Sequence, residues 1–162
     1  MGFTLTSPKF QDHTEIPADY THEGRDVSPP LDWRDVPAGT QSLALVCEDP
    51  DAPDPAHPQR TWVHWILYNI PPDTTSLPEN AHIVPGSQAG TNDWHKLGYG
   101  GPAPPIGRHR YFFRLYALDT MLPDKPGLTR SDLSERMRGH VIGTAELIGT
   151  YEAKKKKAGR AA

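Results

Sequence analysis

Arg110-Tyr-Phe-Phe-Arg-Leu-Tyr-Ala-Leu118 is apolar or aromatic at all but two positions, and it decides the fold class. Side chains alternate across a strand, so a run this apolar reads as a strand covered on both faces. Ser42-Leu-Ala-Leu-Val-Cys47 has the same character. Working outward, strand candidates are Phe3 to Thr6, Ser42 to Glu48, Trp62 to Ile70, Arg110 to Leu118 and Val141 to Tyr151, each rich in β-branched or aromatic residues and bounded by turn formers. Gly143 and Gly149 interrupt the last of these. Eighteen Pro and fourteen Gly are scattered between the apolar runs rather than gathered in one linker, which is an all-β habit. Only the segment from Leu128 to His140 reads as a helix, with Thr129 or Ser131 as cap, Asp132 and Glu135 early and Gly139 as the stop. Ser28-Pro-Pro-Leu-Asp-Trp33 reads as a rigid extended loop carrying a hydrophobic plug.

A chain of 162 residues, 36% hydrophobic, is long enough for one sizeable core and short for two. A single domain over residues 1–152 is therefore expected, followed at 153–162 by a mobile basic tail, since Lys-Lys-Lys-Lys157 and its neighbours offer nothing large and apolar to dock. The net charge of -3 argues against a surface that neutralises many nucleic-acid phosphates. Any anion must be held locally. Neither a signal peptide nor a membrane span is visible, so the expected location is the cytoplasm. Cys47 is the only cysteine, which excludes an intrachain disulfide and a multi-cysteine zinc site; within its apolar run it reads as a small buried hydrophobe.

Three stretches place polar groups where a core strand or simple turn does not require them. In Asp49-Pro-Asp-Ala-Pro53 the prolines fix φ and remove two donors, which predicts a rigid carboxylate where a strand emerges at a pocket rim. The Ala52-Pro53 bond is a candidate for the cis form. In Trp62-Val-His-Trp65 the period of two puts Trp62 and His64 on one face, able to line one cavity. Tyr99-Gly-Gly-Pro-Ala-Pro-Pro-Ile-Gly-Arg-His-Arg-Tyr111 is a loop costly to order unless it shapes something, and it opens on a strand where His109 and Tyr111 share a face. Two imidazoles beside a carboxylate suit anion binding, metal ligation or proton shuttling. For an anion, protonated histidines and backbone N–H groups of the Gly-rich loop are the donors, and Asp49 orients an imidazole and raises its pKa, or receives the cationic end of a zwitterion. No helical His spacing supports a metal, and no nucleophile elbow supports hydrolysis.

Taken in order and spacing, Ser28 to Trp33, Pro37 to Thr40, Asp49 to Pro53, Trp62 to His64, Tyr99 to Tyr111, Gly139 to Val141, Ala145 to Leu147 and Gly149 to Tyr151 resemble the phosphatidylethanolamine-binding proteins, in their prokaryotic, kinase-inhibitor-like branch. The resemblance implies a mainly β, Greek-key β-sandwich with a few short helices. It further implies a pocket for phosphate or a phosphoethanolamine-like group lined by Asp49, Pro53, Trp62, His64, Gly101, Pro105, His109 and Tyr111. Asp51 then braces the loop, while Arg110 faces away from His109 and pairs structurally. The function expected is binding and regulation without catalysis, with no cofactor, a kinase or protease as protein partner, and a homodimer; the alternative is a hydrolase or metal-assisted enzyme using the His/Asp cluster. Three positions depart from the family pattern: Asp26 where Asn is frequent, His95 where Gly is common, and Ala103 in place of a frequent Cys, which counts against a redox role for that loop.

Overall fold

The two most apolar runs become neighbouring central strands. In the computed structural model, which describes residues 2–154, β4 (Ser42–Ala52) and β8 (Arg108–Leu118) pair antiparallel, from Ser42 opposite Leu118 to Glu48 opposite Phe112. Around them form β2 (Thr14–Glu15), β5 (Arg60–Ile70), β7 (Gln88–Ala89) and β9 (Val141–Glu152), giving a six-stranded sheet of order β2-β9-β8-β4-β5-β7. A three-stranded sheet, β1 (Thr4–Thr6), β3 (Leu31–Arg34) and β6 (Ser76–Leu77), completes a β-sandwich. The chain leaves the β4–β5 hairpin and crosses to the far side of β4 before forming β8, the Greek-key type of connection expected.

The main core lies between the sheets, where Leu45, Cys47, Phe113, Leu115 and Leu147 meet Leu5, Leu31, Trp33 and Leu77. On the other side of β4, Ala44 and Val46 join Ile66, Tyr68 and Leu118 beneath Leu122, Leu128, Leu133 and Met137. The last two belong to α1 (Arg130–Met137), which Thr129 caps by a capping box with Asp132. Both faces of β4 are thus covered, which is why its sequence does not alternate.

Several expectations shift at their edges. The strand expected to end at Glu48 continues to Ala52, so Asp49 lies inside β4 and is wholly buried rather than standing at a rim. Pro50 is tolerated there because the β4–β5 register slips between Asp49 and Ala52, where ladder bonds lapse. The Ala52–Pro53 peptide is cis. Trp33 is the buried plug, yet Leu31–Arg34 forms a short strand instead of a loop. Lys154, placed in the expected tail, is held: its ammonium lies 2.8 Å from Glu15 and its backbone N–H donates to Glu23. The rest of that tail, 155–162, falls outside the described residues.

Candidate functional site

The site sits where two paired strands part. Pairing between β4 and β8 ends at Glu48–Phe112, while β4 follows β5 on to Ala52–Arg60 and β8 follows β9 on to Arg108–Glu152. Side chains close the fork in place of ladder bonds. His109 Nδ1 lies 2.5 Å from Asp49 Oδ2, and Asp49 Oδ1 accepts from the Asp51 N–H at 2.7 Å. On the opposite face Arg110 donates from its guanidinium and its backbone N–H to Asp51, the structural pairing expected of both residues.

His109 is a buried cation. Its Nε2 faces the Ile106 carbonyl at 2.8 Å, so both ring nitrogens meet acceptors and only the imidazolium has a proton for each. Burial opposes the charge, but the Asp49 hydrogen bond and charge, with the Ile106 and Pro53 carbonyls, outweigh it and raise the pKa above its ordinary value. His64 is the opposite case. Nδ1 donates to the Gly100 carbonyl at 2.7 Å, and burial pushes the pKa down to about 4, leaving a neutral ring with its lone pair on Nε2. The expectation of two protonated imidazoles therefore fails at His64, where burial outweighs the Gly100 hydrogen bond and the charges of Asp49 and Asp93.

Tyr111 links the two histidines: its ring stacks on His109 at 6.3 Å and meets His64 edge-on at 5.2 Å. Its hydroxyl pKa is raised well above 10 by burial, then by Asp49, so it stays a donor. Trp94 packs edge-on against both His64 (5.0 Å) and Trp62 (5.4 Å). Three polar atoms of this contiguous cluster, His64 Nε2, Tyr111 Oη and Trp62 Nε1, are buried without a hydrogen-bond partner among the described residues. Native interiors seldom leave such atoms unmatched; Trp65 Nε1 is likewise buried without a partner among the described residues.

The same architecture recurs in proteins of known structure. The family profile of the phosphatidylethanolamine-binding proteins matches residues 6–152. The chain belongs to the phosphatidylethanolamine-binding protein family. A UPF0098 protein of Methanothermobacter thermautotrophicus is 51% identical over 151 residues, covering 91% of this chain and 97% of the relative. The crystal structure of a phosphatidylethanolamine-binding protein homolog, CT736 of Chlamydia trachomatis, superposes with a TM-score of 0.88 at 44% identity over 94% of this chain and 99% of that one. Escherichia coli YbcL, described as a member of the mammalian PEBP family, gives 0.86 at 32% identity over 95% and 100%.

Within this phosphatidylethanolamine-binding protein fold, the expected residues occupy two zones. Asp49, His64, His109 and Tyr111 form the buried cluster; Trp62 flanks it and the Pro53 carbonyl faces His109. Pro105 is half-buried in the loop leading to His109, and Gly101 lines a separate outer cavity of about 210 Å³ with His22, Asp26, Trp94, Lys96 and Tyr99. Trp94 carries no periodic or motif signal that assigns it to a site, and Asp26 stands out in the sequence only as a departure from the family pattern, since the placement of both depends on a loop conformation. Among the described residues, no group of three His, Cys, Asp or Glu side chains is arranged to hold a metal.

Proposed function

We propose that this protein is a non-enzymatic binding protein whose Asp49–His64–His109–Tyr111 cluster receives a small phosphate-bearing ligand. The carrying observation is the buried His109 imidazolium set beside unpartnered donors on Tyr111 and Trp62. Phosphate offers several acceptor oxygens to such donors, and the neutral His64 Nε2 suits the remaining P–OH of a monoanion. Asp49 acts through His109 and does not face the anion. Gly101 and Pro105 shape the loop, and Pro53 and Trp62 complete the wall.

Hydrolysis fits less well, because the Cys47 thiol is fully buried with its pKa pushed well above 9, chiefly by burial. Modulation of a kinase or protease, self-association as a homodimer and a cytoplasmic location rest on the family likeness and the expectations above. The decisive experiment titrates inorganic phosphate into labelled protein and follows the imidazole NMR signals. His109 resonances should shift saturably at millimolar phosphate, and His109→Gln should abolish binding. An unmoved His109 spectrum rules the reading out.

A further inference from the structure

We infer that the Trp94 indole is the gate between solvent and the buried cluster, and that a guest enters through the outer cavity when this ring swings aside. This deepens the phosphate reading and rests on it.

As folded, the cluster is closed. Asp49, His64, His109 and Tyr111 are each wholly buried, so an anion that is to meet them needs a path that some part of the wall opens. Gly100 and Trp94 belong to both spaces: each lines the outer cavity, and each touches His64. Gly100 is fixed, because its N–H donates to the His64 carbonyl at 2.9 Å and its own carbonyl accepts from His64 Nδ1 at 2.7 Å. Trp94 is the part that can move. Its ring is half-buried, and its indole N–H bonds to no other described residue, so packing alone holds it.

The backbone beneath the ring is pinned. Buried Asn92 accepts through Oδ1 from the N–H groups of Trp94 and Lys96 and donates through Nδ2 to the Gly98 carbonyl. The motion left is rotation about the side-chain bonds, into a cavity of about 210 Å³ that lies open on the ring's outer face. Gly100 is what lets the gate shut. A Cβ there would lie 2.4 Å from Trp94 Cζ3 and 2.6 Å from Cε3. Gly100 does not have a positive φ, so other residues could adopt its backbone and the ring is what excludes a side chain. Lys96 on the cavity wall attracts an incoming anion, while Asp26, already holding the Gly101 N–H, repels it. The cavity is therefore a passage for the anion and not its resting place. Once the ring closes behind the guest, water is kept out and the attraction of His109 for the anion strengthens.

Diethyl pyrocarbonate reads the gate without any ligand, because it acylates an unprotonated imidazole nitrogen, and His64 Nε2 is one that lacks a partner among the described residues. Labelling followed by mass spectrometry should find His64 of wild type far slower than the exposed His57 and His82, and about tenfold faster in Trp94→Ala than in wild type. Gly100→Ala keeps the ring but props it off the backbone, and should speed the labelling in the same way. Hydrogen exchange at the Trp65 indole N–H, also buried and unpartnered but packed on Tyr99 in the main core, is the control for a loosened fold and should not change. A His64 rate unaltered in both variants, or raised only in step with Trp65 exchange, overturns the gate. Line shapes of the His109 signals during phosphate titration separate a gate from a ligand contact. Trp94→Ala should raise the association and dissociation rates together, by about tenfold, and leave Kd within about twofold. Faster dissociation alone would make Trp94 part of the binding surface and would also overturn the gate, with the phosphate reading intact. If phosphate does not bind wild type, the phosphate reading falls, and the His64 labelling still decides whether Trp94 closes the way to the cluster.

Discussion

His109 and His64 sit within one cluster yet titrate in opposite directions, because one faces a carboxylate and the other a carbonyl. His64, held down at about 4, is neutral when folded, whereas in the unfolded chain it takes a proton below about 6.5. Its contribution to stability is therefore present above pH 6.5 and lost as pH falls toward 4, a loss of roughly 3 kcal/mol. Urea unfolding at pH 7 and pH 4 should show His64→Asn losing less on acidification than wild type; equal losses would contradict the assignment. His109 runs the other way: its raised folded pKa makes its contribution complete below 6.5 and lost as pH climbs through the folded value. Removing the negative partner of a buried pair leaves an uncompensated cation, so Asp49→Asn should cost roughly 3 kcal/mol and lower the His109 titration midpoint. An NMR titration that finds the midpoint unmoved would mean that Asp49 is not what holds the charge.

Elements divide into those specified locally and those specified only by their neighbours. The helix is local: Thr129 accepts from the Asp132 N–H at 3.1 Å and Asp132 accepts in return from the Thr129 N–H. Thr129→Ala should cost about 1 kcal/mol in chemical denaturation, and no change would show that packing of Leu133 and Met137 alone keeps it folded. Long strands were likewise legible, each to within four residues at its ends, because aromatic and β-branched runs need no distant information. β9 shows the limit. Gly143 and Gly149 interrupt its pattern in sequence, yet it pairs with β8 across both positions, and a Cβ at Gly149 would lie 2.4 Å from Ile16 and one at Gly143 2.7 Å from Pro37. These glycines admit neighbours from remote parts of the chain. The two-residue strands β2, β6 and β7 carry no pattern of their own; they exist where a longer strand offers free ladder groups. The fork that holds the site arises in the same way, from strand ends that choose different partners.

Across the whole molecule, β4 carries both cores: Leu45 and Cys47 belong to the layer between the sheets, and Ala44 and Val46 to the layer under α1. The cluster of Asp49, His64, His109 and Tyr111 was legible because each residue follows or interrupts a readable strand. The outer cavity was not, because it is formed by two chain segments, 22–26 and 92–101, that meet only after folding, bringing His22 and Asp26 against Trp94, Tyr99 and Gly101. The site thus stands at the end of the strand that both cores share, with side chains bridging β4 to β8 there. A ligand that binds the folded cluster and not the unfolded chain must stabilise the entire sandwich, by about 2.7 kcal/mol at one hundred times its dissociation constant. For a chain of this size that corresponds to a rise in melting temperature of roughly 5–10 °C. Scanning calorimetry across a phosphate series, with sodium chloride at matched ionic strength as control, should show this rise in wild type and lose it in His109→Gln. A rise that persists in the variant would mean that the stabilisation comes from excluded salt acting on the surface, and that the fork between β4 and β8 is not where the anion is held.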